Sequence, residues 1–174
     1  MISTSSHNNC NTNKYKTVSI SGNKGKDANY KGECFTNLAP GRDFWYIWHN
    51  NIGVIPEKEN NKYYIEKYYD TVLSKLDPLE TYNELDSSIL LCYENSDEFC
   101  HRHIVAAWFE LFLDVKVPEV KVVNEKIEYK EKPSYIKEML EEIIREKLNI
   151  QNDQSLREYY YLEKNGTCKK YNKK

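Results

Sequence analysis

The chain has 174 residues, of which 40% are hydrophobic and 30% are charged, and its formal net charge is −2. This length and composition predict one globular domain with a single core. The small net charge excludes a general electrostatic affinity for nucleic acid or anionic membranes. No apolar stretch follows Met1, and none has the length of a membrane span, so we expect neither a signal peptide nor a membrane partner.

The cysteines are odd in number and have no regular spacing. They lie at Cys10, Cys34, Cys92, Cys100 and Cys168. An odd, irregular set without a secretory signal is typical of free thiols in a reducing compartment. The sequence therefore predicts a cytoplasmic protein without disulfides.

The first third of the chain is polar at its start and aromatic at its end. We interpret the Asn-rich residues 1–13 as a disordered lead. Residues 16–21 alternate apolar and polar side chains, which predicts the first strand. A basic loop with Lys24 and Lys26 follows it. Residues 35–55 are rich in aromatic side chains without a clean period, which indicates short helices or irregular structure on the core.

Helical spacing of apolar residues is clear in the middle and at the end of the chain. It predicts helices over residues 60–76 and 133–148. Asp77 before Pro78 is typical of a capped second helix. Ser155 and the glutamate three residues later predict a capping box for a last helix.

Two further strands and a buried helix complete the prediction. The apolar run at residues 88–93 and the segment 120–123 are predicted strands, and residues 97–113 are a helix that is apolar on most sides. Parallel neighbours need long crossovers, which these helical segments provide. We therefore predict a single three-layer α/β/α domain of Rossmann-like type with a mostly parallel sheet over residues 14–123. Residues 124–174 would be a helical extension that packs on this domain or on a partner, including a second copy of the chain.

Chemically active side chains are concentrated where the strand at 88–93 meets the next helix. Cys92 and Glu94 end the strand, and Cys100, His101 and Arg102 open the helix. Ligands of α/β proteins bind beyond the carboxyl ends of strands. The short loop between the two groups cannot carry them far apart. The sequence therefore predicts one site formed by these side chains.

The residue types suggest roles within that site. The helix dipole would stabilise a thiolate at Cys100 beside His101, and burial would make Glu94 a general base. We predict Glu94, Cys100 and His101 as catalytic residues and Cys92 as a ligand-binding residue. The competing interpretation is that both thiols are structural, as buried free cysteines usually are.

Arg102 is the strongest candidate for binding an anion. A guanidinium at a helix start suits a phosphate or carboxylate, which it can bind with two parallel hydrogen bonds. We predict Arg102, Lys24 and Lys26 as ligand-binding residues. An internal ion pair between Arg102 and Glu94 is the competing role, and the two roles are compatible.

Other kinds of site fit less well. Cys92, Cys100, His101 and His103 are all permissible zinc ligands. However, there is no Cys-x-x-Cys pair, and His101 and His103 lie two positions apart on a helix, where side chains diverge. The thiol-to-arginine spacing of a cysteine-phosphatase loop is absent, as are the glycine-rich phosphate-binding motifs. We therefore expect no metal and no other cofactor.

Several segments together resemble the family called domain of unknown function 488, uncharacterised bacterial or phage proteins with Cys-x-Glu and Cys-His-Arg motifs. The similarity covers about residues 14–121. It rests on residues 90–94 and 99–106, with support from 18–21, 30–32, 38–40, 63–78 and 117–119. The resemblance implies a Rossmann-like three-layer domain with its polar cluster at Cys92, Glu94, Cys100, His101 and Arg102. Where many relatives carry an arginine after the first strand, this chain has Lys24 and Lys26.

The family has no settled activity, so the function must be argued from the residues. The first hypothesis is an enzyme or sensor for a nucleotide, a nucleic-acid component or another phosphate-bearing ligand, whose base stacks on aromatic residues of 35–48. The second is a binding module that uses the same pocket without catalysis. The alternative is a structural or protein-interaction module in which the Cys-His-Arg cluster anchors a buried helix. Whether the protein is an enzyme stays open at this point.

Overall fold

A six-stranded sheet forms the centre of the fold in the computed structural model, which describes residues 1–21 and 30–166. Its strands are β1 (Ser3–Ser6), β2 (Lys16–Ser19), β3 (Glu33–Cys34), β4 (Ser88–Cys92), β5 (Glu119–Val123) and β6 (Lys126–Lys130). Their order across the sheet is β3-β2-β4-β1-β5-β6. All pairings are parallel except that of β6 with β5.

Six α-helices accompany the sheet. They are α1 (Arg42–Asn50), α2 (Glu57–Thr71), α3 (Pro78–Glu84), α4 (His101–Leu113), α5 (Tyr135–Leu148) and α6 (Leu156–Lys164). The predicted α/β class with a mostly parallel sheet is thereby confirmed, and the six helices are consistent with the predicted three-layer arrangement. Within the described ranges, no helix has the length and apolar character that a membrane crossing requires.

Alternation along β4 separates two hydrophobic clusters. Leu90 belongs to the large cluster that contains the buried faces of the helices. Its neighbours Ile89 and Leu91 point the other way, into a smaller cluster with Cys10 and two valines of β5. All five residues of β4 are buried, as expected for a parallel strand that is covered on both faces.

The prediction of a disordered lead at residues 1–13 is wrong. Residues 3–6 form β1, an interior strand of the sheet that pairs with β4 on one side and β5 on the other. All four of its side chains are buried. The hydroxyl of Thr4 donates to Glu119, and that of Ser5 donates to the carbonyl of Val120. The partners of Thr4 and Ser5 help to accommodate a composition typical of disorder in an interior strand, although the buried Ser6 hydroxyl has no partner among the described residues.

The sheet and core also continue beyond residue 123, where we expected only a helical extension. Strand β6 pairs antiparallel with β5 and is exposed along its length. Buried residues of α5, among them Ile136, Leu140 and Ile144, lie in the same cluster as Leu90. Residues 124–166 therefore complete the main core.

Helix ends follow the predicted capping chemistry. The Asp77 carboxylate accepts from the backbone N–H of Glu80 at 2.9 Å and caps α3. Ser155 and Glu158 form the reciprocal bonds of a capping box at the start of α6. The helix that follows β4 is shorter than predicted, since α4 begins at His101 and the preceding residues form turns.

Candidate functional site

The end of β4 and the start of α4 bring the predicted polar residues together. Cys92 is the last residue of β4, and Cys100 is the N-cap residue of α4. Strands β1 and β2 flank β4 and run parallel to it, so their carboxyl ends meet at this edge of the sheet. Cys92, Cys100 and His101 are buried there, and Glu94 is half-buried. We call these four residues the pocket cluster.

Both thiols of the pocket cluster face one imidazole nitrogen. The Sγ of Cys92 lies 3.4 Å from Nδ1 of His101, and the Sγ of Cys100 lies 4.0 Å from the same atom. The thiol of Cys92 also donates to Oε2 of Glu94 at 3.4 Å. The predicted convergence of these four side chains is present.

A backbone carbonyl fixes the orientation of the imidazole. Nε2 of His101 lies 3.0 Å from the carbonyl oxygen of Ile20, just after β2. A carbonyl oxygen only accepts hydrogen bonds, so Nε2 carries the proton and Nδ1 is turned toward the thiols. The ring of Tyr68 packs edge-on against the imidazole, with centroids 5.7 Å apart. The fold therefore places His101 as an oriented partner of the two cysteines.

The pKa values of the two thiols are shifted in opposite directions. Burial raises the pKa of Cys92 well above its usual value, and the neighbouring Cys100 raises it further. Burial acts in the same direction on Cys100, but hydrogen bonding with Cys92 and the positive charges of Arg102 and His101 prevail. They hold the pKa of Cys100 well below its usual value. Of the two thiols, Cys100 is therefore the one that ionises more readily to a thiolate.

The Cys100 thiolate also shifts the pKa values of Glu94 and His101. Burial, followed by the negative charge of Cys100, raises the pKa of Glu94 to about 7. Burial lowers the pKa of His101, yet its hydrogen bond and ion pairing with Cys100 outweigh this effect and raise it. Groups with such displaced pKa values are concentrated at functional sites.

A cavity of about 490 Å³ opens above the pocket cluster. Its polar lining includes the pocket cluster, which we call the floor, together with Ser21, two residues after β2. Aromatic side chains make most of the walls; they are Trp45, Tyr46 and Trp48 of α1, Tyr64 of α2, and Tyr93 and Phe99 of the loop before α4. The predicted stacking segment at residues 35–48 thus lies beside the predicted polar residues.

Arg42 is a residue of this cavity that sequence analysis missed. It is the first residue of α1, it is exposed, and it lies one turn before Trp45 on the cavity wall. Within residues 1–21 and 30–166, it forms no salt bridge. The Pro40-Gly41 pair before the aromatic segment was the available signal, because such a pair marks a turn after which a new element can begin.

Arg102 has a different place from the one predicted. Its side chain is 0% exposed and does not line the cavity. Nη2 and Nε donate to the two carboxylate oxygens of Glu119 at 3.0 and 3.3 Å, and Nη2 also donates to the carbonyl of Asn95. The expected pair with Glu94 does not form, because the start of β5 brings Glu119 to the guanidinium instead.

Glu119 is the centre of a second buried group. Besides Arg102, it accepts from the Thr4 hydroxyl at 2.7 Å, and Nε2 of His103 lies 3.3 Å from its carboxylate. Burial raises the pKa of Glu119, but His103 and Arg102 together lower it below its usual value. We call Thr4, Arg102, His103 and Glu119 the anchor cluster, since it joins α4 to β1 and β5.

The other predicted residues are placed as follows. Lys24 and Lys26 lie outside the described residues, so their proposed contact with a ligand stays a prediction. Cys10, Cys34, Cys92 and Cys100 are free thiols, and Cys168 lies outside the described part of the chain.

Comparison with protein-family models, with curated proteins and with solved structures gave no match to this chain. The resemblance to domain of unknown function 488 therefore stays a prediction. The functional argument rests on the geometry of the cavity.

Proposed function

We propose that the cavity binds a small ligand with both an aromatic ring and an anionic group, such as a nucleotide, and holds its reacting end against the pocket cluster. The observation that carries this proposal is the set of residues that line this cavity. Aromatic walls, an arginine at a helix start and a floor of thiols, imidazole and carboxyl are combined at the carboxyl end of a parallel sheet.

The size and walls of the cavity suit such a ligand. A volume of about 490 Å³ falls within the range of roughly 300–1,000 Å³ that is typical of small-molecule sites. Trp45 and Tyr46 stand edge to face, with centroids 5.3 Å apart, and Tyr46 is 57% exposed. Exposed aromatic faces stack on bases of any sequence, which supports recognition of a nucleobase or a similar ring.

Arg42 supplies the contact for the anionic group. It combines a charged side chain with the start of α1, where no side chain of the N-cap residue Gly41 occupies the first backbone N–H groups, and this combination suits a phosphate. This assignment replaces Arg102, whose guanidinium is bound to Glu119. With the ring on Trp45 and the anion on Arg42, the remaining part of the ligand reaches Cys100, His101 and Glu94.

The alternative, a structural role for the Cys-His-Arg segment, is favoured for one part of it. Arg102 and His103 are buried against Glu119 and line no part of this cavity, so they anchor α4. Cys100 and His101 differ, because they line the cavity floor. We therefore assign the anchoring role to Arg102 and His103 alone.

Isothermal titration calorimetry with nucleosides and their mono-, di- and triphosphates tests the proposal. We expect a nucleotide to bind more tightly than its nucleoside, and Arg42→Ala to weaken nucleotide binding about 10-fold while leaving nucleoside binding unchanged. Trp45→Ala should weaken both. Arg157→Ala, which removes an exposed arginine of α6, is the matched control and should bind like the wild type. Absence of binding to every compound at millimolar concentration would refute the proposal.

A further inference from the structure

We propose that Cys92, Cys100 and His101 form a zinc-binding site whose fourth coordination position is open to the cavity. This inference goes beyond the proposed function and does not depend on nucleotide binding. It reverses the expectation from the sequence that the chain holds no metal.

The spacing of the three donor atoms matches tetrahedral zinc. The two Sγ atoms and Nδ1 of His101 all lie within 4.8 Å of one another, and the sulfur-to-nitrogen distances are 3.4 and 4.0 Å. Zinc bonds of about 2.3 Å to sulfur and 2.0–2.1 Å to nitrogen place tetrahedral sulfur and nitrogen ligands about 3.5 Å apart. Small side-chain adjustments are therefore sufficient to coordinate the ion.

The surroundings of His101 are those of a metal-bound histidine. Metal-ligating histidines usually donate their second ring N–H to a carboxylate or a backbone carbonyl, which fixes the tautomer. Nε2 of His101 lies 3.0 Å from the carbonyl of Ile20, so Nδ1 is held toward the thiols. The site thus has the outer hydrogen bond that metal-bound histidines usually make.

The donor types select the metal. Two thiolates and an imidazole are soft and borderline ligands, which suit zinc and do not suit magnesium or calcium. All three residues are buried, yet all three line the cavity. Three protein ligands with an accessible fourth position are typical of catalytic zinc sites, whereas structural sites use four. Glu94 lies beside this position, with Oε2 3.4 Å from the Cys92 sulfur.

Metal analysis of the reduced full-length protein tests the inference. Protein stripped with a chelator, reloaded with zinc and desalted should contain one zinc ion per chain by inductively coupled plasma mass spectrometry. Replacement by cobalt(II) should give the charge-transfer absorption of thiolate coordination. Cys92→Ser and Cys100→Ser should each weaken zinc binding by more than about 100-fold, beyond the loss typical of outer-sphere changes.

Two matched variants sharpen the test. Cys34→Ser removes a free thiol outside the cluster and should retain one zinc ion per chain. Glu94→Gln should also retain it, because the carboxyl is adjacent to the open position and is not a ligand. Loss of zinc in Glu94→Gln would overturn the three-ligand site.

Zinc uptake by the wild type tests the site even if the cysteine variants fail to fold. Folded, fully reduced protein that takes up no zinc, or a cobalt complex without thiolate absorption, would overturn the proposal. So would a Cys92–Cys100 disulfide that persists under reduction and excludes the metal. Nucleotide titrations on the same samples separate this result from failure of the proposed function.

Discussion

The pocket cluster and the anchor cluster meet at the first turn of α4. They differ in how their charges are neutralised. In the anchor cluster, the charge of Arg102 is matched by Glu119 within the protein, and both side chains are completely buried. In the pocket cluster, Cys100 and His101 line a cavity, and Glu94 forms no ion pair among the described residues. Successive helix residues point about 100° apart, so adjacent residues face different neighbours.

One short motif can therefore contribute residues to two different clusters. A buried pair whose partners are both protein groups stabilises the junction of helix and sheet. Donors that converge on a cavity remain available to a ligand or a metal ion. Within the Cys-His-Arg segment, Cys100 and His101 therefore belong to the pocket cluster, and Arg102 belongs to the anchor cluster.

The largest expected effect is on the anchor cluster. Arg102→Met should lower the free energy of unfolding by about 3–5 kcal/mol, because it leaves the Glu119 carboxylate buried without its main partner. Urea denaturation measures this loss. The double variant Arg102→Met/Glu119→Leu should be more stable than the single one, since it removes both charges. A single variant that loses less than about 1 kcal/mol would contradict the anchoring role.

Thr4→Val tests the contribution of the polar strand β1 to the same cluster. The Thr4 hydroxyl donates to a buried carboxylate at 2.7 Å, so its removal should cost about 1.5–3 kcal/mol. Ser5→Ala is the matched control in the same strand. It removes a hydrogen bond to a neutral carbonyl and should cost about 0.5–1.5 kcal/mol in the same urea assay. Equal costs would mean that the charge of Glu119 adds nothing to the bond.

The anchor cluster should also give the protein an acid-sensitive part of its stability. The pKa of Glu119 in the folded protein lies below its usual value of 4.5. The ionised carboxylate therefore stabilises the fold above about pH 4.5, and this stabilisation is lost as the pH falls through the folded pKa. Urea denaturation from pH 7 to pH 3 should show the wild type approaching Glu119→Gln in stability. A constant difference between the two across this range would exclude the linkage.

The smallest loss of stability is expected for a substitution in the pocket cluster. Glu94→Gln in metal-free, reduced protein should not lower the free energy of unfolding at pH 7, because burial and the negative charge of Cys100 disfavour the ionised carboxyl in the folded protein. Glu119→Gln, the same substitution in the anchor cluster, should cost more at pH 7. If Glu94→Gln proved the more destabilising variant, the division between the two clusters would be wrong.

Local sequence was sufficient to place several of the elements and the pocket cluster. Periodic apolar residues, the Asp77 cap and the Ser155 capping box act over a few residues, so α3, α5, α6 and β4 are close to their predicted places. The convergence of Cys92, Glu94, Cys100 and His101 was also predictable, because a short loop joins a strand end to a helix start. These features depend on contacts between residues that are near in sequence.

The partners of the polar residues depend on the tertiary structure. Pairing on both sides makes the serine-rich β1 an interior strand, and the start of β5 gives Arg102 its partner Glu119. The carbonyl of Ile20, far away in sequence, turns His101 toward both thiols. The sequence argument against zinc weighed His101 with His103 on one helix, whereas the fold brings Cys92 of β4 beside His101. Partners contributed by distant strands leave no local periodic signal, since sheet pairing sets their position.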